Sequence, residues 1–234
     1  FGGVETGDIK ELVKAREIWD AFIEGNYKTA EPGLIFWTTM SNYSPSNYVG
    51  RPIISTNPCA EVPLEDGGAC NLGSLNLSRF VDDGYTDKAK INWDQLAETT
   101  SILVRFLDNV VTWNEDMNAL EKQRISAEIT RRLGLGIMGI ADMMNQMAIG
   151  YDSQEGINLM ERLMSFIANA AFQASAGLAE EKSPSSAFNE RKYLKCPFVK
   201  EGLSKETQQV IREKGLRNIA ILSIAPTGSI SNII

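Results

Sequence analysis

The chain has 234 residues, enough for one large domain or two small ones, and its 43% hydrophobic and 23% charged content is ordinary for a globular protein. A formal charge of −7 argues against a general nucleic-acid binder, while a small anionic ligand needs only local donors. No histidine is present, which removes the commonest general base and the commonest metal ligand. Three cysteines are too few for a disulfide framework in a chain of this length, which points to a reducing compartment. No apolar run approaches the roughly 20 residues of a membrane span, and the start does not read as a signal peptide. The chain opens at Phe1 and stops at "SNII", after an apolar strand and a turn, so it reads as an internal piece of a longer protein.

Asp8 and Glu11 form a capping box, with Leu12, Ala15, Trp19 and Phe22 at helical spacing behind it and Gly25 able to end that helix. "EPGLIFW" is a turn into an apolar run, and "SNYSPSNYVGRP" reads as a polar loop. "STNPCAEVPL" follows. If it is extended, Asn57, Cys59 and Glu61 share one face, with neighbours about 6.6 Å apart. Pro58 and Pro63 place this piece at an edge or in a loop. Next comes "EDGGACNLGSLNLSRFV", with Leu72, Leu75 and Leu77 apolar and Gly67, Gly68 and Gly73 permissive.

A second capping box at Asn92–Gln95 opens a long helix whose face carries Trp93, Leu96, Thr100, Leu103, Leu107 and Val110. The pattern predicts a third helix over 124–147. A fourth begins near Ser153, with Ile157, Met160, Leu163, Ile167, Ala171, Ala174 and Leu178 on one stripe, and is broken by "KSPSSAFNE". A fifth covers 205–214 and ends at Gly215, and "NIAILSIA" has the length and composition of a buried strand. Long helices between short apolar strands predict an α/β, helix-rich architecture.

Several motifs have two readings. Gly134, Gly136 and Gly139 match the dinucleotide-binding glycine spacing, but the charged, helix-patterned "SAEITRR" stands where that fingerprint needs a buried strand. The expectation is a helix that packs closely against its neighbours. The methionines at 138, 143, 144, 147, 160 and 164 read as core filler, Cys196 as a semi-buried bystander, and no metal site is expected. "APTGSIS" puts backbone N–H groups and hydroxyls at the carboxyl end of a strand, which suits an anion and equally suits an ordinary turn. The Asn57, Cys59, Glu61 row could be a reaction centre. It could also be a core thiol with a solvated acid and a turn former, or half of a Cys59–Cys70 disulfide.

In order, "NPCAEVPL", "ACNLGSLNLS", "RRLGLGIMGIADM" and "GLRNIAILSIAPTGSIS" resemble the catalytic subunit of ribonucleotide reductases across nearly the whole chain. The resemblance implies part of a ten-stranded α/β barrel with a central finger loop, with residues 1–234 a single partial catalytic domain. Asn57–Glu61 would then lie on that loop as an extended segment and not a sheet strand. By motif, Cys59 is similar to the thiyl-radical residue that removes hydrogen from C3′ of the ribose. Glu61 resembles the ionised base for the 3′-hydroxyl proton, and Asn57 the group that orients the sugar hydroxyls. Cys70 resembles one of two redox-active thiols whose partner lies upstream of residue 1. Pro226, Thr227, Gly228, Ser229 and Ile230 resemble the loop that holds the substrate's phosphates.

The spellings "NPCAE" and "IAPTGSIS" look most like the adenosylcobalamin-dependent class. The alternatives are a class I large subunit needing a separate radical-generating subunit, or a fragment of a cysteine-nucleophile hydrolase. The implied partners are a ribonucleoside di- or triphosphate and an external dithiol reductant of thioredoxin or glutaredoxin type, with no membrane and no nucleic acid. A cytoplasmic location is expected, and a homodimer fits the full-length form.

Overall fold

The computed structural model describes residues 12–234, so the capping box at Asp8 and Glu11 lies outside the described residues. The chain forms two compact units that divide between Phe36 and Trp37. In the first, helix α1 spans Ala15–Thr29 and stops where Ala30 turns left-handed at φ 60°. It therefore runs through Gly25, the predicted stop.

In the second unit, "WTTMSNY" and "PSNY" are helical: α2 is Trp37–Tyr43 and α3 is Pro45–Tyr48. The expected polar loop is thus largely a pair of short helices, with Pro45 in the first turn where its missing N–H costs nothing. A hairpin follows, β1 (Ile53–Thr56) with β2 (Pro63–Glu65), antiparallel. After β3 (Asn71–Asn76) comes a small antiparallel pair, β4 (Val81–Asp82) with β5 (Lys90–Ile91). Helix α4 (Trp93–Met117) begins at Asn92, whose side-chain oxygen accepts from the Gln95 N–H at 3.0 Å. The periodicity located this helix well, although Leu96, Thr100, Val104, Leu107 and Val111 form its buried stripe, rotated slightly from the predicted one.

The predicted third helix is wrong in its middle. Helix α5 (Glu121–Thr130) ends where Arg131 turns left-handed. Strand β6 (Leu133–Met138) follows with all six residues buried, and helix α6 (Ile140–Gln146) starts after Gly139 at φ 74°. β6 pairs in parallel with β3, Asn71 opposite Leu133 through Asn76 opposite Met138. On its other side the Leu133 and Leu135 N–H groups donate to the Ala220 and Ile221 carbonyls, and the Ser223 N–H donates to the Leu135 carbonyl at 2.9 Å. "NIAILSIA" therefore runs parallel to β6 on that side, but only a single bridge, Leu135 with Leu222, forms where a full buried strand is expected; with this short last strand β6 is the middle member of the layer.

Helix α7 (Gln154–Lys182) starts where the Ser153 hydroxyl accepts from the Gly156 N–H. Ile157, placed on its buried stripe by periodicity, is exposed, while Leu163, Ile167, Ala171 and Leu178 are buried. Helices α8 (Glu190–Tyr193) and α9 (Pro197–Gly202) lead to α10 (Lys205–Lys214), which stops at Gly215 as expected. Met138, Met143 and Met144 are buried, consistent with core filling, and Cys196 is fully buried rather than half so.

Side chains of a strand alternate between faces. Leu133, Leu135 and Ile137 join Leu75, Val104, Leu107, Leu163 and Ile167 in the core under α4 and α7. Gly134 and Gly136 look the other way. The three parallel members are not closed into a ring.

One buried polar network fixes the sheet to the helices. Asp108 of α4, fully buried, accepts from Arg131 Nε at 2.9 Å and from Asn218 Nδ2 at 3.0 Å. Lys182 and Arg217 lie 3.7 and 3.6 Å from its second oxygen. Arg131 also donates to Glu115, Thr112 and the Asp108 carbonyl, and Asn218 bonds the Arg131 carbonyl and Ser175. Burial alone would raise the Asp108 pKa. The hydrogen bond and charge of Arg131, with Asn218 and Arg217, outweigh it and hold the carboxyl below its usual range.

Because the folded value lies below the unfolded one, this stabilisation is complete above about pH 3.9 and is lost as pH falls through the folded value. Asp108→Asn leaves three cations without their shared anion. It is expected to cost about 3–5 kcal/mol at pH 7, read as a lower urea midpoint, and to shrink the acid-dependent loss of stability. At Gly136, an added Cβ would collide with the Ser223 carbonyl oxygen. Gly136→Ala is therefore expected to cost about 1–3 kcal/mol in the same assay.

Candidate functional site

The hairpin between β1 and β2 carries the Asn57–Glu61 motif at its tip. The predicted extended row is not what forms. The Asn57 N–H donates to the Val62 carbonyl at 3.2 Å, the Ala60 N–H donates to the Asn57 carbonyl at 3.0 Å, and Ala60 is left-handed at φ 63°. These bonds close a compact turn, so the even spacing of an extended strand does not apply to the three side chains. Extended backbone ends at Thr56 and resumes at Pro63. The composition points to a loop, and the reading of Asn57 as a turn former matches its side chain's part in closing it.

That closure assigns the Asn57 amide. Its oxygen accepts from the Val62 N–H at 3.0 Å, so its Nδ2, with no partner among the described residues, is left to donate. Cys59 is exposed at the tip. The Glu61 backbone is tied down, its carbonyl accepting from the Ser223 hydroxyl at 3.3 Å. One Glu61 carboxylate oxygen, Oε2, is buried with no hydrogen-bond partner. Within five residues the turn thus presents a thiol, an amide donor and an unsatisfied carboxylate oxygen.

Ser223 also links the hairpin to the candidate anion turn. It lies three residues before Pro226, so at about 3.3 Å per extended residue the turn begins roughly 10 Å further along the chain. Thr227 is left-handed at φ 57°. The Ser231 N–H donates to the Thr227 carbonyl and Asn232 Nδ2 to the Gly228 carbonyl, closing a short 3-10 turn over Ile230–Asn232. Pro226, Gly228, Ser229 and Ile230 are exposed. An added Cβ on Gly228 would meet nothing within 4 Å, so the backbone there is open to a ligand.

Cys70 precedes β3, at the opposite end of the parallel strands from the anion turn. Cys59, Cys70 and Cys196 are all free thiols, so the Cys59–Cys70 disulfide is not formed. Burial pushes the Cys70 thiol up to about 12; Arg132 pulls it down, and Glu61 and Glu65 add to the rise. The Ser223 bond ties the hairpin to the last strand, and Cys70 lies on the face of the sheet that Gly134 leaves open. Gly134 makes room there: an added Cβ would lie 2.7 Å from Cys70 Sγ and 2.5 Å from Leu72 Cδ2.

Two side chains of this face had no strong signal in the sequence. Glu65 at the end of β2 and Arg132 just before β6 are both buried and form an ion pair. Thr130 donates to Glu65 Oε1 at 2.8 Å, and Ser126 approaches the same oxygen at 3.4 Å. A doubled arginine and an acid before two glycines are common surface patterns, and only the strand assignment of 133–138 turns Arg132 inward. Among the described residues no group of three or more His, Cys, Asp or Glu side chains could hold a metal, and no helix is long and apolar enough to cross a membrane.

A family model described as "Ribonucleotide reductase, barrel domain" matches residues 4–234. The vitamin B12-dependent ribonucleoside-diphosphate reductase of Thermoplasma acidophilum is 41% identical over 97% of this chain and 27% of its own length. A protein of the same name from Mycobacterium tuberculosis is 37% identical over 97% of this chain and 29% of its length. The ribonucleoside-diphosphate reductase subunit alpha of Chlamydia pneumoniae is 31% identical over 99% of this chain and 24% of its length. The chain thus spans about a quarter of the length of these relatives. Among solved structures, the Actinobacillus ureae class Id ribonucleotide reductase alpha subunit superposes with a TM-score of 0.70 at 22% identity, over 93% of this chain and 37% of that one. The unclosed parallel layer is part of an α/β barrel.

Exposure and protonation together order the thiols. Iodoacetamide at pH 8 is expected to modify exposed Cys59 first, with Cys70 slow because it is held as the thiol and Cys196 slowest because it is fully buried. Peptide mass spectrometry over a time course checks this order, and faster labelling of Cys70 than of Cys59 contradicts it.

Proposed function

This chain belongs to the ribonucleotide reductase barrel-domain family, and from that premise we propose that residues 1–234 form part of the catalytic barrel of an enzyme that reduces ribonucleotides to deoxyribonucleotides through a thiyl radical. The hairpin from β1 to β2 is the finger loop of a ten-stranded barrel. The observation that carries the reading is the hairpin tip: an exposed thiol, a free amide donor and a buried carboxylate oxygen without a partner, joined through Ser223 to the strand that leads into the anion turn.

In this reading the backbone and hydroxyls of Pro226–Ile230 hold the substrate's phosphates. With the phosphates fixed there, the ribose reaches back toward the hairpin. Asn57 Nδ2 donates to a sugar hydroxyl and orients the ring. Cys59, as the thiyl radical, takes the hydrogen atom from C3′ and becomes the thiol. Glu61 Oε2 accepts the 3′-hydroxyl proton. A base within hydrogen-bond reach beside a sulfur held near one C–H bond supplies the near-attack geometry this chemistry needs. Cys70 supplies reducing equivalents together with a second cysteine outside this chain and is regenerated by an external dithiol of thioredoxin or glutaredoxin type.

An adenosylcobalamin cofactor fits an exposed Cys59 at the hairpin tip, which would face it, and when bound it supplies the radical that oxidises the sulfur. The names of the two most similar relatives reported above support this class over one with a separate radical-generating subunit. The substrate is a ribonucleoside di- or triphosphate, the setting is cytoplasmic, and the full-length protein is a homodimer.

In the full-length protein Cys59→Ser is expected to abolish deoxyribonucleotide formation while leaving nucleotide affinity within about twofold, since the hydroxyl cannot carry the radical and the phosphate turn is untouched. Turnover by product chromatography and affinity by equilibrium dialysis check the two halves. Full turnover in this variant overturns the assignment.

A further inference from the structure

Arg132 shares with Cys70 the wall of a cavity of about 270 Å³, together with Asn71, Asn114, Asn118 and Gln123. Its side chain is only 4% exposed and is paired with Glu65 at 4%. One guanidinium nitrogen, Nε, is buried with no hydrogen-bond partner. A buried cation with an unused donor is costly unless some state of the protein supplies an acceptor. The polar lining amides of the cavity carry no charge. The charged groups acting on Cys70 are Arg132 from the start of β6, Glu61 from the hairpin tip and Glu65 from the end of β2.

We propose that Arg132 is a positioning residue for Cys70: its guanidinium, anchored by Glu65, stabilises the Cys70 sulfur when that sulfur carries negative charge. The inference rests on the redox reading of Cys70. In disulfide reduction, a thiolate of the external dithiol attacks the other sulfur of the bond. A new S–S bond forms, the old one breaks, and its electron pair leaves on Cys70 as a thiolate. That thiolate then takes a proton, and the second thiol of the reductant releases the mixed disulfide, so two electrons pass from dithiol to disulfide. A leaving thiolate in a buried place departs slowly unless a cation meets it.

Glu65 does two things in this arrangement. It holds the Arg132 side chain in place, and its own negative charge opposes the thiolate. The two partners therefore act on Cys70 with opposite sign, which separates an electrostatic role from a merely structural one. A merely structural role predicts otherwise: loosening the ion pair from either side would then admit solvent and raise the reactivity of Cys70 in both cases.

The test uses the reduced full-length protein. Iodoacetamide labelling of Cys70 is followed by peptide mass spectrometry from pH 7 to 10.5 in wild type, Arg132→Gln, Arg132→Lys and Glu65→Gln. Arg132→Gln is expected to slow labelling by about tenfold, the change in thiolate fraction for one pKa unit. Arg132→Lys is expected to recover most of the rate, and Glu65→Gln to exceed wild type. Faster labelling in both Arg132→Gln and Glu65→Gln, or no change in either, overturns the proposal. Its failure is distinct from failure of the redox reading. Dithiol-dependent turnover retained in Cys70→Ser removes the redox role of Cys70, whereas labelling that moves the same way in both charge variants removes the role of Arg132.

Discussion

The bare face of β6 is the constraint on which the rest of this structure depends. Gly134 and Gly136 leave no side chain between the strand and what lies above it. Cys70 and Leu72 close over the first glycine, and the Ser223 carbonyl stands over the second, where an added methyl would collide with each. A strand whose other face is fully committed to the core under α4 and α7 can bring chemistry close only where its outward side chains are missing. The groups that could react are thereby drawn onto one surface instead of being spread around the sheet.

Two buried charge systems hold that surface in place, and they differ in kind. Asp108 gathers Arg131, Lys182, Arg217 and Asn218 where α4, α5, α7 and the last strand meet, and it faces away from the candidate site. Most donors there are used, although Asp108 Oδ2 and Arg217 Nε, 3.6 Å apart, are paired by charge and not by a hydrogen bond. The Glu65–Arg132 pair is smaller and leaves an Arg132 nitrogen unsatisfied in the cavity wall it shares with Cys70, and Glu61 leaves a carboxylate oxygen unsatisfied as well. Native interiors tolerate few such orphans. The two in the Asp108 cluster, Asp108 Oδ2 and Arg217 Nε, face each other; Glu61 Oε2 and Arg132 Nε lie on the bare face, where a polar ligand would find them unpaired.

Much of this was legible in the residues, and the misses have physical causes. Asn92, Ser153 and Gly215 mark helix ends by local chemistry, and the structure places those ends accordingly. The stretch 133–138 reads as helix because leucine, methionine and glycine carry little strand propensity and the flanking "SAEITRR" has a helical pattern, which outweighs the alternation of large residues and glycine that marks the strand. That single misreading hid Arg132, whose inward direction follows only from the strand register. The Asn57–Glu61 turn was misread for a different reason. Two prolines and a row of polar residues argue for extended backbone, but the Asn57 side chain satisfies the Val62 N–H and folds the segment on itself. The residue types of the motif were informative, and their spacing was not.

A substrate is expected across the hairpin tip and the turn at Thr227–Ser229. The direct measurement is a crystal structure of the full-length protein with a ribonucleoside diphosphate bound. The phosphates should rest on the backbone of Thr227–Ser229, and the ribose should lie under Cys59 with its 3′-hydroxyl on Glu61 Oε2. A nucleotide bound away from the hairpin, with that carboxylate oxygen still unpartnered, would contradict it.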